Sequence, residues 1–224
     1  MLEDYFSKNN IFYKIILHEI EEQKNKDGEI SIDNNINISK PIIPFLPPKD
    51  KFDEREYCLV LDLDETLVHY IEEDTNDDNA YVKVRMGAEN FINCLSRYCE
   101  IVIFTASTQL YADTVINGMD CKDKIDFVLY RQHTDFIDGF NIKDLSKLGR
   151  DITKIIIIDN IADNYKLQPK NGLNILNFDG DENDNELIYL MQDLLNIVQI
   201  KGLDIRTKLD TIRKNMSKRY NELL

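Results

Sequence analysis

The chain has 224 residues, 43% of them hydrophobic and 30% charged, enough for one medium domain with extensions or for two small ones, the first being the simpler reading. Forty-one acidic against 27 basic side chains leave a net charge of −14, which argues against a broad electrostatic grip on nucleic acid or anionic lipid and favours basic or cation-bridged partners. Apolar runs stop at about five residues, far below the roughly 20 a membrane helix needs.

The first ten residues, MLEDYFSKNN, have neither the basic-then-apolar layout of a secretory signal nor the Arg-rich composition of a transit peptide. A nuclear or cytoplasmic location is therefore expected. Cys58, Cys94, Cys99 and Cys121 form no CxxC pair and read as reduced, buried thiols. Within residues 1–24, Tyr5, Phe12, Ile15, Ile16 and Ile20 recur at helical spacing and predict an amphipathic helix, either packed on the main domain or docking a partner protein. Residues 25–50 turn Asn-rich and then Pro-rich, with Pro41, Pro44, Pro47 and Pro48, and predict a linker that ends by clamping onto the next strand.

From residue 51 to 224 the pattern is that of one α/β domain closed by C-terminal helices. Buried strands are expected at Tyr57 to Leu63, Glu100 to Thr105 and Ile152 to Ile158, with helices at Ala88 to Tyr98 and Leu110 to Met119 between them. Two more helices are expected at Asn185 to Val198 and Asp204 to Arg219. The alternation predicts a doubly wound, mostly parallel sheet flanked by helices.

The first strand runs into Asp62, Leu63, Asp64, Glu65 and Thr66. On an extended chain Asp62 and Asp64 share a face, and two carboxylates at a buried strand end repel unless a cation or a proton intervenes. The alternative is a solvated helix cap at Asp64. An EF-hand loop is a poorer account, because Leu67 stands where glycine is required. Thr105, Lys143 and the pair Asp159–Asn160 follow later apolar runs. Together they would bring a hydroxyl, a cation and further oxygen donors to the ligand-binding edge of the sheet, as phosphoryl transfer requires. A cysteine phosphatase is excluded, since no cysteine has Arg six residues later, and His18, His69 and His133 show no zinc spacing. His69 reads as a loop residue after the DxDxT segment, either ordinary or packed beside the site.

The segments LDLDETLVH, IFTAS, KDLSKLGRD and IIIIDN resemble the four signatures of the haloacid dehalogenase superfamily, and more closely the small C-terminal-domain phosphatases of the nuclear LIM interactor-interacting factor group, over about Pro47 to Leu209. The resemblance implies a protein serine/threonine phosphatase without a large cap domain. Asp62 would be the nucleophile that forms an aspartyl-phosphate, Asp64 the general acid and then base, and Thr105 and Lys143 the holders of the phosphoryl group. Magnesium would be held by Asp62, the main-chain carbonyl of Asp64 and Asn160, with Asp159 on the metal or just behind it. Tyr111 and Arg131 occupy places near the bound peptide in such phosphatases; otherwise they are a core aromatic and a surface ion pair.

Polymerase-tail phosphatases carry a hydrophobic β-hairpin between the first two signatures, whereas here residues 72–79 read EEDTNDDN and leave only Tyr81, Val82 and Val84 for a strand. That departure puts the polymerase tail in doubt as substrate and suggests an acidic lip that favours phosphosites with basic flanks. Two other readings stay open: a catalytically silent scaffold resembling the mitochondrial import receptor subunit, whose catalytic acids are degraded, and a small-molecule phosphatase. Retention of the acids opposes the first. The 41 positions from Asp64 to Thr105 leave no room for the cap usual in the second.

Overall fold

The structure is a computed structural model that describes residues 41–72 and 80–223. The expected N-terminal helix, most of the expected linker and the acidic stretch 73–79 lie outside the described residues. The element order is β1 (Tyr57–Leu61), β2 (Val68–Glu72), β3 (Ala80–Val84), α1 (Ala88–Leu95), β4 (Cys99–Phe104), α2 (Gln109–Asn117), β5 (Phe127–Leu129), β6 (Asp135–Ile137), β7 (Phe140–Ile142), β8 (Ile155–Asp159), β9 (Gly172–Asn174), α3 (Glu186–Val198) and α4 (Arg206–Leu223).

Five strands form the central sheet in the order β5-β4-β1-β8-β9, and every pairing in it is parallel. β1 lies at its centre. Its YCLVL sequence is buried on both faces, as a central parallel strand must be. The alternation of the pleat sends Tyr57, Leu59 and Leu61 to one face and Cys58 and Val60 to the other.

The first face is covered by α-helices. Phe91, Ile92 and Leu95 of α1, Ala112, Val115 and Ile116 of α2, Leu187, Leu190 and Leu194 of α3, and Leu209, Ile212 and Met216 of α4 share one apolar cluster with it. The second face is covered by Leu46, Leu145, Leu148 and Tyr165, the last three from single 3₁₀ turns at Leu145–Leu148 and Ala162–Tyr165. The sheet is thus buried on both sides, as the α/β reading expects, but its second layer is made of short turns. Leu46 falls in the stretch read as linker, and it is buried while Phe45 N–H donates to the Lys147 carbonyl at 2.8 Å. Gly149, at φ +72°, admits this segment closely, since a Cβ there would stand 2.6 Å from Pro44.

Element ends shift by a few residues. Ile152–Lys154 is a 3₁₀ turn before β8, and the terminal helix starts at Arg206. One sequence expectation needs correction: Val68–Glu72 is a strand, paired antiparallel with Ala80–Val84. A two-stranded hairpin therefore flanks the acidic stretch, and His69 stands on a strand instead of in a loop. The run VHYIE hides because it begins directly after the tight turn that carries the acids, with no intervening breaker. A second small hairpin, β6–β7, leads into Lys143. Among the described residues no larger element stands over the carboxyl edge, and no helix is long and apolar enough to cross a membrane.

Candidate active site

The carboxyl ends of β1, β4 and β8 place Asp62, Thr105 and Asp159 side by side, because these strands are adjacent in the sheet. Asp62 continues the ladder through its N–H to the Ile158 carbonyl at 3.0 Å. The chain then turns sharply: Leu67 N–H and Val68 N–H both donate to the Leu63 carbonyl, at 2.9 and 3.1 Å. Glu65 sits in the left-handed region at φ +60°, a strained conformation for a residue with a Cβ, costing on the order of 1–3 kcal/mol. Its carbonyl accepts from Phe178 N–H at 2.8 Å and its carboxylate meets His69 Nδ1 at 2.9 Å. The fully buried Arg85 braces the same turn by donating to the Thr66 and Leu176 carbonyls, at 3.2 and 3.0 Å, while pairing with Asp184 at 2.7 Å.

Lys143 is the centre of the site. Its ammonium is wholly buried and lies 2.7 Å from Asp62 Oδ1 and 2.6 Å from Asp159 Oδ2. Burial opposes its charge, but Asp62 and Asp159 outweigh burial and raise its pKa. Asn164 holds both partners in place: its carbonyl accepts from Lys143 N–H at 2.6 Å and its Nδ2 donates to Asp159 Oδ1 at 3.1 Å. Burial also pushes the Asp62 carboxyl up, to about 7, with Asp159 and Asp64 adding to the rise and Lys143 opposing it.

Asp64 faces three hydroxyls. Ser107 Oγ donates to its Oδ2 at 2.6 Å, Thr105 Oγ1 to the same oxygen at 3.4 Å, and Tyr111 O–H to Oδ1 at 2.7 Å. Burial and the Asp64 charge both raise the Tyr111 pKa, so the phenol keeps its proton. Asn160 follows β8, where its Oδ1 accepts from Thr66 Oγ1 at 3.3 Å and its Nδ2 donates to Asn177 Oδ1 at 3.1 Å. Arg131 is exposed, and its Nε donates to the Ala106 carbonyl at 2.6 Å.

Lys143 therefore bridges Asp62 and Asp159, while Thr105 and Tyr111 both meet Asp64. Arg131 enters only through the backbone of the loop that carries Ser107. Three residues escaped the sequence reading. Ser107 stands two positions after Thr105, a spacing that could have placed it on the same side; Asn164 and Arg85 act across long loops and left no local signal.

Asp62 and Asp159 share one ammonium, and the Asp64 charge also acts on Asp62, an excess of negative charge that a divalent cation would offset. Among the described residues no three His, Cys, Asp or Glu side chains gather as a metal site by themselves. The residues that the resemblance would put on a metal, Asp62, Asp159, the Asn160 amide and the Asp64 main-chain carbonyl, would offer oxygen donors only. This all-oxygen set suits a hard ion such as Mg2+.

Comparison with known proteins gives the chain's relatives. The chain is 36% identical over 171 residues to CTD small phosphatase-like protein 2 of Dictyostelium discoideum, covering 70% of this chain and 30% of that protein. It is 37% identical over 161 residues to the mitochondrial import inner membrane translocase subunit TIM50 of Gibberella zeae, covering 72% and 30%. The chain thus spans about a third of the length of these curated relatives. A solved structure of Fcp1, an RNA polymerase II CTD phosphatase, is a distant likeness, with TM-score 0.46 and 17% identity over 73% of this chain and 62% of that one. Residues 57–219 match the NLI interacting factor-like phosphatase model, and the chain belongs to that family.

Proposed function

We propose that the chain is a magnesium-dependent protein serine/threonine phosphatase working through an aspartyl-phosphate on Asp62. The observation that carries this reading is the buried Lys143 bridging Asp62 and Asp159 at a sheet edge whose acids outnumber its cations. An Asp62 oxygen attacks phosphorus as the bond to the seryl oxygen breaks. The electron pair of that bond stays with the seryl oxygen, which takes a proton from Asp64. Asp64, now a base, removes a proton from water; the oxygen of that water attacks the phosphorus of the aspartyl-phosphate, releasing phosphate and restoring Asp62. Lys143 and Thr105 hold the phosphoryl oxygens. Mg2+, held by Asp62, Asp159, Asn160 and the Asp64 carbonyl, would neutralise the charge that otherwise keeps an anionic nucleophile from a phosphate dianion.

Among the described residues no larger element stands over the site, which suits a phosphoserine or phosphothreonine in a polypeptide better than a small metabolite that a cap would enclose. Arg131 and Tyr111 are part of this reading as peptide contacts. Cys58, Cys99 and Cys121 are free and buried, in keeping with a reducing nuclear or cytoplasmic setting. The translocase relative favours a second reading, a non-catalytic scaffold; against it stands the cost of keeping Asp62, Lys143 and Asp159 buried together when no chemistry uses them.

The test is Asp64→Asn assayed on a phosphoserine peptide and on an aryl phosphate. Loss of the acid should cost about 10²–10⁴-fold on the peptide and clearly less on the aryl ester, whose leaving group needs little protonation. Equal losses on both would overturn the role given to Asp64, and a wild-type protein inactive on both with Mg2+ present would leave the scaffold.

A further inference from the structure

The two oxygens of the Asp64 carboxylate are held differently, and the difference separates their work. Oδ2 accepts from Ser107 Oγ at 2.6 Å and from Thr105 Oγ1 at 3.4 Å. Both donors are fixed. Thr105 is buried at the end of β4, with its N–H on the Leu129 carbonyl at 2.9 Å. Ser107 N–H donates back to Thr105 Oγ1 at 2.9 Å, and the Ser107 carbonyl accepts from Arg131 N–H at 3.0 Å. Oδ1 accepts from the Tyr111 hydroxyl at 2.7 Å, carried at the end of a long, half-buried side chain on α2. A proton donor needs one oxygen that meets the leaving group and one that keeps the carboxyl aimed.

Building on the reading of Asp64 as general acid and base, we infer that Ser107 is a positioning residue that anchors Oδ2, that Oδ1 is the oxygen that exchanges the proton, and that the Tyr111 hydroxyl holds the place of the leaving alcohol until substrate displaces it. As the bond from phosphorus to the seryl oxygen breaks, its electron pair stays on that oxygen and the proton on Oδ1 moves to it. The alcohol formed then bonds Oδ1 as the Tyr111 hydroxyl does in the resting enzyme. Ser107 exchanges no proton with substrate. It keeps Asp64 from rotating during a cycle in which Oδ1 loses and regains its proton.

Steady-state kinetics of the full chain with Mg2+ test this, using Ser107→Ala, Ser107→Thr and Tyr111→Phe on a phosphoserine peptide and on p-nitrophenyl phosphate. Ser107→Ala should lower kcat on the peptide by roughly 10- to 100-fold, part of the range open to a general acid. KM should stay within about twofold and the aryl ester should lose less than about threefold, since only proton delivery is impaired. Ser107→Thr, which keeps the hydroxyl, should recover most of the loss; a misfolded Ser107→Ala would instead lose both substrates together. Tyr111→Phe, which loses a hydroxyl that substrate displaces, should change kcat on the two substrates in the same proportion, whatever its effect on peptide KM. Equal losses of Ser107→Ala on the two substrates with the wild-type melting temperature retained, or no loss on the peptide, would overturn the anchoring role. A Tyr111→Phe loss of kcat as selective for the peptide as that of Ser107→Ala would overturn the assignment of Oδ1. Failure here is distinguishable from failure of the underlying function: Asp64→Asn still splits the two substrates if only the role of Ser107 is wrong, and does not if Asp64 is not the acid.

Discussion

Two buried ion clusters sit at opposite ends of the same sheet and have different fates. At the amino end, Arg150 meets Glu100 side-on, with Nε 2.7 Å from Oε2 and a terminal nitrogen 2.8 Å from Oε1, and spends another nitrogen on the Pro47 carbonyl at 2.9 Å. One cation faces one anion there, every polar atom is answered, and the cluster ties residues 44–48 to the base of β4. At the carboxyl end, one ammonium faces Asp62 and Asp159, with Asp64 close behind. The first cluster is closed and structural. The second carries more negative than positive charge, which is the imbalance that the proposed Mg2+ would offset. Burial alone does not set the candidate site apart; charge imbalance does.

Several experiments break or sharpen that contrast. The largest effect is expected from Asp62→Asn, which removes the proposed nucleophile: phosphatase activity should fall by at least about 10³-fold while circular dichroism and the melting temperature stay at or above those of the wild type, because repulsion at the site is relieved. Next comes metal removal. Exhaustive dialysis against EDTA should abolish activity, and adding Mg2+ back should restore it and raise Tm by mass action, whereas Asp62→Asn should show a much smaller rise in Tm. Activity that survives EDTA intact counts against the metal.

Arg150→Met addresses the closed cluster. Leaving Glu100 buried without its partner should cost about 3–5 kcal/mol in urea unfolding, with kcat per folded molecule retained, and the double change Arg150→Met with Glu100→Met should recover much of that loss. A stability effect of similar size is expected in the pH dependence of the metal-free protein. The Asp62 pKa is raised from 3.8 to about 7, so between those values the native state binds a proton that the unfolded chain has released. The stabilisation is complete below about pH 4 and is lost as pH rises toward 7. Tm should fall across that window in EDTA relative to Asp62→Asn, and a parallel course for the two proteins would show that Asp62 does not titrate there.

Legibility in the sequence followed how local each cause was. Strand β1 and its two acids were readable because a buried run and an i, i+2 spacing are complete within nine residues. The hairpin strand Val68–Glu72 was not, since its pairing with Ala80–Val84 is a property of two segments at once. Tyr111 was read both as core aromatic and as substrate contact; its ring packs beside the core while its hydroxyl reaches Asp64, and only the seating of α2 could bring the two together. Ser107 was overlooked because a small polar residue after a strand carries no period.

The alternation of apolar and polar residues was enough to specify a parallel α/β sheet with carboxylates, a hydroxyl and a cation at strand ends, since pleat and helix periods act over a few residues. The tertiary structure decided that Lys143 would lie between Asp62 and Asp159, that one sheet face would be closed by helices and the other by 3₁₀ turns and residues 44–46, and that Asp64 would be gripped from two elements. These features depend on strand order and on loops meeting across the sheet, where long-range packing, and not local propensity, sets the distances.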